Sequence, residues 1–289
     1  MKISVITPTY NCSEFIERSY HCLLSQSFTD WEWIVVDDGS TDRTQIIFSQ
    51  ISSSDSRVKY TRYDINKGRG FARNLAMSLA TGEFISIWDI DDLYLSTHLE
   101  RINECLSSKQ YDFFYSNSLL LDKNLNIKSA RESKQASLIY PQFTHATLGF
   151  RRQAPFNLTY DPSMRAGEDY ELMITLNNLG KGFHCQDYSF MYVEDREVSI
   201  NKTFKMHLSH ARSFHRMVEN KIINLSITDL LKSYFKFIIK SIILILLLPA
   251  PKIYLKTVKL RNSSHINPLL LTDEHLVLLK LFHTNTNES

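Results

Sequence analysis

The chain has 289 residues, 43% of them hydrophobic, with 8 Gly, 7 Pro and no internal repeat or biased tract. That composition supports a sizeable core and excludes a disordered or fibrous protein. The net charge of +2 hides a division: residues 1–201 hold 20 Lys/Arg against 26 Asp/Glu, and residues 202–261 hold 12 against 2, so two surfaces with different partners are expected. The cysteines at 12, 22, 105 and 185 lack metal-ligand spacing and read as reduced, buried thiols of a cytosolic protein. The opening MKISVITPTYN has one lysine and a short apolar run, which suits a strand better than a signal peptide.

Ile3–Ile6 is apolar and β-branched, the composition of a buried strand. Asn11 and Ser13 can cap a helix that places Phe15, Ile16, Tyr20, Leu23 and Leu24 on one face. A second strand is predicted over Trp31–Val36, ended by the turn residues Asp37-Asp38-Gly39-Ser40. Val58–Tyr63 suits a third. Phe71, Ala72, Leu75, Ala76, Leu79 and Ala80 then recur at helical spacing until Gly82. Phe84–Trp88 suits a fourth strand, ending in Asp89-Ile90-Asp91-Asp92; a helix from about Ser96 and a strand over 112–116 follow. Residues 117–165 read as irregular β structure and loops around an acceptor cleft. Residues 167–180 read as a helix that opens on Glu168-Asp169 and closes at Gly180. Residues 202–262 are helical, basic and apolar, and 263–289 form a polar tail around an apolar patch, with no role assigned.

Strands alternating with helices imply a parallel sheet with right-handed crossovers, whose ligands bind beyond the carboxyl ends of the strands. Those ends carry Thr7–Asn11, Asp37–Asp42, Asp64–Arg73 and Asp89–Asp92, so polar groups should converge on one rim. The cluster Asp89-Ile90-Asp91-Asp92 is unfavourable after a buried strand unless it is solvated, paired or bound to a cation. Oxygen ligands of this kind suit Mg²⁺ or Mn²⁺; alone, the same residues could be a solvated, helix-capping loop. A carboxylate in the 37–42 loop can accept from a base N–H or a ribose hydroxyl, although Asp, Gly and Ser also make ordinary turns. Asn66–Asn74 offers cations and backbone amides at a helix start, which suits an anion, without the G-x-G-x-x-G dinucleotide pattern.

Together, VITPTYN (5–11), WEWIVVDDGSTD (31–42), NKGRGFARN (66–74), FISIWDIDD (84–92) and GEDYEL (167–172) resemble the inverting family 2 nucleotide-sugar glycosyltransferases, in order and at about their spacing. The resemblance covers roughly residues 1–200. It implies a GT-A fold, a Rossmann-like nucleotide-binding half fused to an acceptor-binding half. Carried over by position, it places Pro8 and Tyr10 at the base, with Asp37 or Asp38 contacting it, and Asn66 and Arg73 at the nucleotide. It assigns Asp89 to ribose or metal, Asp91 to the metal bridging the diphosphate, and Asp169 to the catalytic base, with Glu168 beside it. Such chemistry needs one general base and a cation that stabilises the leaving diphosphate, and a helix N-terminus favours an ionised Asp169. The chain departs from the family at Ile174-Thr175-Leu176 and at MYVEDREVSIN (191–201), where Tyr192 and Ser199 match but an Arg and a His do not. His207, His210 and His215 are the nearby candidates for a late metal ligand.

In the basic region the uninterrupted apolar run Ile242–Leu248 is far shorter than the about 20 residues a spanning helix needs. Lysines at 232, 236 and 240, nearly repeated at 252, 256 and 259, with Leu and Ile between them, form the pattern of a helix lying in a membrane interface. The apolar content fits lipid better than nucleic acid.

The expected organisation is therefore a GT-A domain over 1–201, a basic amphipathic helical region over 202–262 and a tail over 263–289. The expected function, as the resemblance implies it, is inverting transfer from a UDP-sugar to a glycan or lipid-linked acceptor of bacterial surface polysaccharide, with Mn²⁺ or Mg²⁺, at the cytoplasmic face of a membrane. A nucleotidyltransferase would need a Gly-rich, basic loop that TPTYNCSEF lacks. A non-catalytic nucleotide-sugar-binding or scaffold protein that kept the fold is the other alternative; the acidic set is intact here, and absence of metal-dependent nucleotide binding would favour that reading.

Overall fold

The computed structural model describes residues 2–133, 143–164, 166–193, 199–253 and 266–285. In chain order, strand β1 (Ile3–Thr9) leads to helix α1 (Ile16–Leu24), β2 (Trp31–Asp37) to α2 (Thr44–Ser54), and β3 (Val58–Arg62) to α3 (Arg69–Leu79). Next come β4 (Phe84–Ile87), β5 (Leu93–Tyr94), α4 (His98–Ser107), β6 (Phe113–Leu121), β7 (Ile127–Arg131) and β8 (Gly149–Arg151). Then follow α5 (Tyr170–Leu179), β9 (Gly182–Val193), α6 (Ile200–Glu219), α7 (Ile227–Leu247) and α8 (Asp273–Asn285).

The strands form one sheet in the order β3-β2-β1-β4-β8-β6-β9-β5, with β7 beside β6. The first four are parallel, as expected. Beyond β4 the sheet is mixed: β8 runs antiparallel to β4 and β6, and β6 runs parallel to β9. The segment expected to be irregular thus supplies most of β6 and all of β7 and β8. Its placement outside the simple strand–helix rhythm follows from these antiparallel insertions.

Alternation along the strands explains the two cores. Ile3, Val5, Trp33 and Val35 face α1 and α2, where Ile16, Leu23 and Phe48 meet them. Ile6, Ile34 and Val36 face the other way, against Ala72 and Ala76 of α3. The alanines let α3 approach the sheet closely. Helix α2 left little trace in the sequence: Thr44 and Phe48 are its only buried residues, and it ends in a serine run. The tail without an assigned role supplies α8, whose Leu279 and Phe282 join the first core. There His275 Nε2 meets the Tyr188 carbonyl at 2.8 Å, and Glu274 accepts from the Ser96 amide at 2.5 Å. The four cysteines are free.

Helices α6 and α7 pack together and onto α5 through Tyr170, Ile174, Phe214, Met217 and Phe237. Ile174-Thr175-Leu176, one of the departures from the family pattern, is buried inside α5. Residues 194–198, the centre of the other departure, and 254–262 of the basic region lie outside the described residues.

At the amino end of the sheet, the buried Glu32 joins three segments. Its Oε1 accepts from Ser4 Oγ at 2.6 Å and Thr81 N at 2.7 Å, and its Oε2 from Lys59 Nζ at 2.6 Å. Burial pushes its pKa up, but the bonds from Lys59, Ser4 and Thr81 outweigh burial and hold it below the usual carboxylate range. Glu32→Ala should lower the unfolding free energy by about 3 kcal/mol at neutral pH, because it strands these donors. The depressed pKa makes this contribution present above the ordinary Glu range and lost as pH falls through it. Urea titrations should therefore show the gap between wild type and variant narrowing below about pH 4.

Candidate active site

A cavity of about 510 Å³ opens beyond the carboxyl ends of β1, β2 and β4. Pro8, Tyr10 and Asn11 line it from β1, and Asp38 lines it after β2. Asn66 and Arg69 enter from the approach to α3, Arg73 from α3 itself, and Asp89, Asp91 and Asp92 from the end of β4. Tyr192 closes the far side from β9. Four strand ends do converge on one rim.

The first two loops are tied to each other. Asn11 stands at φ 48, a left-handed conformation that Asn tolerates better than most residues. Its Oδ1 accepts from the Thr41 amide at 2.8 Å, while its own amide donates to Ser40 Oγ at 2.9 Å. Gly39, at φ +80, passes so close to Asp64 and Asn66 that a Cβ would lie 3.1 Å from the Asp64 carbonyl oxygen.

Adjacent aspartates take different tasks. Asp37 was expected to be at the nucleotide, but it does not line the cleft. Its carboxylate is buried and accepts from Ser40 N at 2.9 Å and Tyr60 OH at 2.6 Å, with Arg62 Nε 3.7 Å away. The strand's alternation sends it behind the rim, where these donors take up its oxygens. Asp38 does line the cleft, and accepts from the amides of Lys67 at 2.6 Å and Gly68 at 2.8 Å. It shapes the 64–68 wall as well as facing the ligand space.

Arg73 is the centre of the site. It is 2% exposed; Nη1 donates to Glu168 Oε1 at 2.7 Å and Nη2 to Asp89 Oδ1 at 3.0 Å. Burial disfavours its charge, but Asp89, Tyr160 and Glu168 more than compensate and raise its pKa. Burial likewise opposes ionisation of Asp89, and Arg73, then His145 and Arg69, hold its pKa below the usual range. Arg69 Nε lies 3.1 Å from Glu168 Oε1. Asn74 fixes the facing loop, donating to the Tyr160 carbonyl at 2.8 Å and accepting from its amide at 2.9 Å.

Asp169 does not itself line the cleft, but it follows Glu168 in the chain and feels the charges of Arg73 and Arg69, which do. Asp169 is the N-cap of α5, and its side chain makes no capping hydrogen bond. Its pKa is raised to about 6, first by burial and then by the neighbouring Glu168 charge, against the pull of Arg73 and Arg69. Both arginines bind Glu168, and neither makes a hydrogen bond to Asp169.

The acidic wall is graded in exposure. Asp89 and Asp91 are partly exposed to the cleft. Asp92 is buried, with Oδ1 accepting from the Val193 amide at 2.9 Å and Oδ2 without a partner among the described residues. No three His, Cys, Asp or Glu side chains among the described residues form a metal-holding group. Two carboxylates completed by phosphate oxygens of a ligand would nevertheless suit a hard divalent cation. His207, His210 and His215 do not line the cleft. His207 Nε2 lies 3.1 Å from the Phe237 carbonyl, His210 stacks on Tyr170, and His215 Nδ1 lies 2.6 Å from Tyr234 OH.

Arg18 and Arg69 escaped sequence reasoning. Arg18 reaches from α1 to the Asp91 carbonyl at 2.6 Å; a mid-helix arginine carries no local signal of that reach. Arg69 stood inside a segment noted only for its general anion-binding character.

A parallel sheet with a polar, acidic rim at its carboxyl ends and antiparallel strands on the far side defines a GT-A-like nucleotide-binding enzyme class. Residues 4–159 match the model of glycosyl transferase family 2, and the chain belongs to that family. WfgD of Escherichia coli, a UDP-Glc:alpha-D-GlcNAc-diphosphoundecaprenol beta-1,3-glucosyltransferase, is 34% identical over 122 residues, which are 42% of this chain and 47% of that protein. The chain thus spans about half the length of that curated relative. S. aureus TarS 1–349 in complex with UDP-GlcNAc shares the fold at TM-score 0.61 and 21% identity, over 74% of this chain and 66% of that one. The mannosyltransferase PcManGT of Pyrobaculum calidifontis, in complex with GDP-Man and Mn²⁺, shares it at TM-score 0.59 and 14% identity, over 99% and 88%.

Replacing Arg73 by Met should cost about 3 kcal/mol in denaturant-induced unfolding, since it leaves the buried Glu168 and the half-buried Asp89 without their shared cation. Arg73→Lys should recover only part of this, because one ammonium cannot reproduce a fork that serves two carboxylates. Equal stability of wild type and Arg73→Met would contradict the bridging role.

Proposed function

We propose that this chain transfers a sugar from a UDP-sugar to a hydroxyl of a glycan on a lipid-linked acceptor, with inversion, in bacterial surface-polysaccharide assembly at the cytoplasmic face of a membrane. The observation that carries this reading is the ion-pair chain Glu168–Arg73–Asp89. It ties the loop bearing an elevated-pKa carboxylate, Asp169, to the acidic wall of the nucleotide cleft. The names of the relatives support UDP as carrier and a diphosphoundecaprenol-linked GlcNAc as acceptor.

In this reading Pro8, Tyr10 and Asn66 flank the base, and Asp38 holds the wall against it. Asp89 and Asp91 would hold a divalent cation, Mn²⁺ or Mg²⁺, together with the donor's diphosphate. When bound, the cation supplies Lewis-acid stabilisation of the leaving diphosphate. Arg73 keeps Asp89 ionised and fixes Glu168. Asp169 accepts the proton of the acceptor hydroxyl as that oxygen attacks the anomeric carbon from the face opposite the leaving group.

Helix α7 supports membrane association. Ile227, Leu231, Phe235, Ile238, Ile242, Ile245 and Leu246 recur at helical spacing and are all exposed, Phe235 at 63% and Leu246 at 69%. The opposite face, with Phe237 and Leu244, is buried. Exposed Lys232 and Lys236 flank the stripe, as on a helix lying at an anionic bilayer surface. Among the described residues no helix is long and apolar enough to cross a membrane.

A thermal-shift panel of nucleotide sugars with and without Mn²⁺ should reveal stabilisation that needs both, and Asp91→Ala should remove the metal-dependent part. Asp169→Asn should keep donor binding and lose turnover by about 10²-fold or more. In the wild type, turnover should fall as pH drops through about 6, where Asp169 becomes protonated. Full turnover in Asp169→Asn would remove it as the base.

The membrane surface is tested without truncation, because deleting the chain beyond α6 would also remove α8 from the core. Phe235→Glu with Ile242→Glu should abolish co-sedimentation with phosphatidylglycerol vesicles while leaving the thermal midpoint in place. Unchanged sedimentation would rule this surface out.

A further inference from the structure

A second cavity, of about 400 Å³, lies between α6 and the loop that leads to Glu168-Asp169. Lys205, Ser209, Arg212 and Arg216 face it from α6, at the spacing of one helical face. Asp161, Ser163 and Ala166 face it from the loop. Arg216 is already committed: its Nη2 donates to Asp161 Oδ2 and to Glu171 Oε2, each at 2.6 Å. That one guanidinium serves both carboxylates. Lys205 and Arg212 are exposed and have no ion-pair partner among the described residues. Uncompensated cations beside hydroxyls in a concavity suit phosphate oxygens. Seven residues separate these two cations, about 10 Å of helix rise, so their flexible side chains can reach inward to opposite ends of a diphosphate.

The cavity shares a wall with the donor site. A Cβ on Gly70 would lie 2.9 Å from the Asp161 carbonyl oxygen, so the loop presses on the start of α3 beside Arg69, which lines the nucleotide cleft. Ala166, on the cavity's other side, stands three positions before Asp169. In a sugar linked through C1 to a lipid diphosphate, the phosphates lie one ring away from the hydroxyl that attacks. A phosphate site next to the base loop but outside the donor cleft meets that requirement. Helix α7, with its apolar stripe, pairs with α6 and offers lipid-compatible surface on the same helical pair.

We infer that this cavity binds the diphosphate of a lipid-linked sugar acceptor through Lys205 and Arg212. The inference rests on the acceptor class proposed above. Bilayer phospholipid headgroups offer the same phosphate chemistry, and the experiment separates the two sources.

The full chain, saturated with UDP to fill the donor cleft, is titrated calorimetrically with two synthetic probes: GlcNAc diphosphate on a short alkyl tail, and the same alkyl GlcNAc without phosphate. The phosphorylated probe should bind about tenfold or more tightly, since charge-assisted bonds to two cations are at stake. Lys205→Ala with Arg212→Ala should erase that preference and leave UDP affinity, thermal midpoint and sedimentation with phosphatidylglycerol vesicles unchanged. No preference for the phosphorylated probe, or the same preference in the double variant, overturns the inference. Loss of vesicle sedimentation with probe binding intact would assign the cations to phospholipid headgroups and overturn it equally. Failure of the wild type to bind UDP or any UDP-sugar would instead sink the functional reading, and titration of the two probes without UDP would still report on this cavity.

Discussion

Arg73 is buried between Glu168 and Asp89 and donates to both, and its charge helps hold Asp89 ionised against the cost of burial. The two acids come from segments far apart in the chain, one at the end of a central strand and the other before a helix beyond the inserted antiparallel strands. Removing the guanidinium would leave Asp89 without its ion-pair partner and Glu168 with Arg69 alone, a costly loss beside a buried carboxylate. The cleft wall and the base loop therefore hold their relative position by electrostatics as much as by packing. Burial is the first cause of the elevated pKa of Asp169, and the charge of Glu168, held beside it by Arg73, adds to it.

Much of this was legible beforehand. The β-branched runs at 3–6, 31–36 and 84–88 form central strands because both faces are covered, and their polar ends form the rim. The division of labour between Asp37 and Asp38 was not legible. Alternation along β2 decides which carboxylate turns toward Tyr60 and which toward the cleft, and that depends on where the strand ends, a one-residue question. Helix α2 hid because a single aromatic, Phe48, anchors it. The last helix hid because its contacts are with β9 and the start of α4, distant in sequence, and local pattern shows only a short apolar patch. The pairing of Glu168 with Arg73 across 95 positions has no local signature at all.

The described part of the basic region is a helical pair with two different exposed faces. Helix α6 turns apolar residues toward α5 and α7 and cations toward the loop before Glu168. Helix α7 buries Phe237 and Leu244 and leaves the stripe through Phe235 and Ile242 uncovered. Charge counted over the region as a whole merges these faces. Resolved by face, the lysines and arginines divide between a flank of the apolar stripe and a concavity beside the base loop.

The docking of α8 bears on how the polypeptide is made. Leu279 and Phe282 complete a core that Ile3 and Val5 begin, so this side of the sheet stays unsealed until residue 282 has left the ribosome. The apolar stripe of α7 emerges earlier. A nascent chain therefore displays the apolar stripe of α7 while its sheet is still open on one side, and the bilayer surface proposed above would cover that stripe before the core closes. Synthesis without such a surface exposes both the stripe and the unfinished core at once, which makes aggregation the competing outcome.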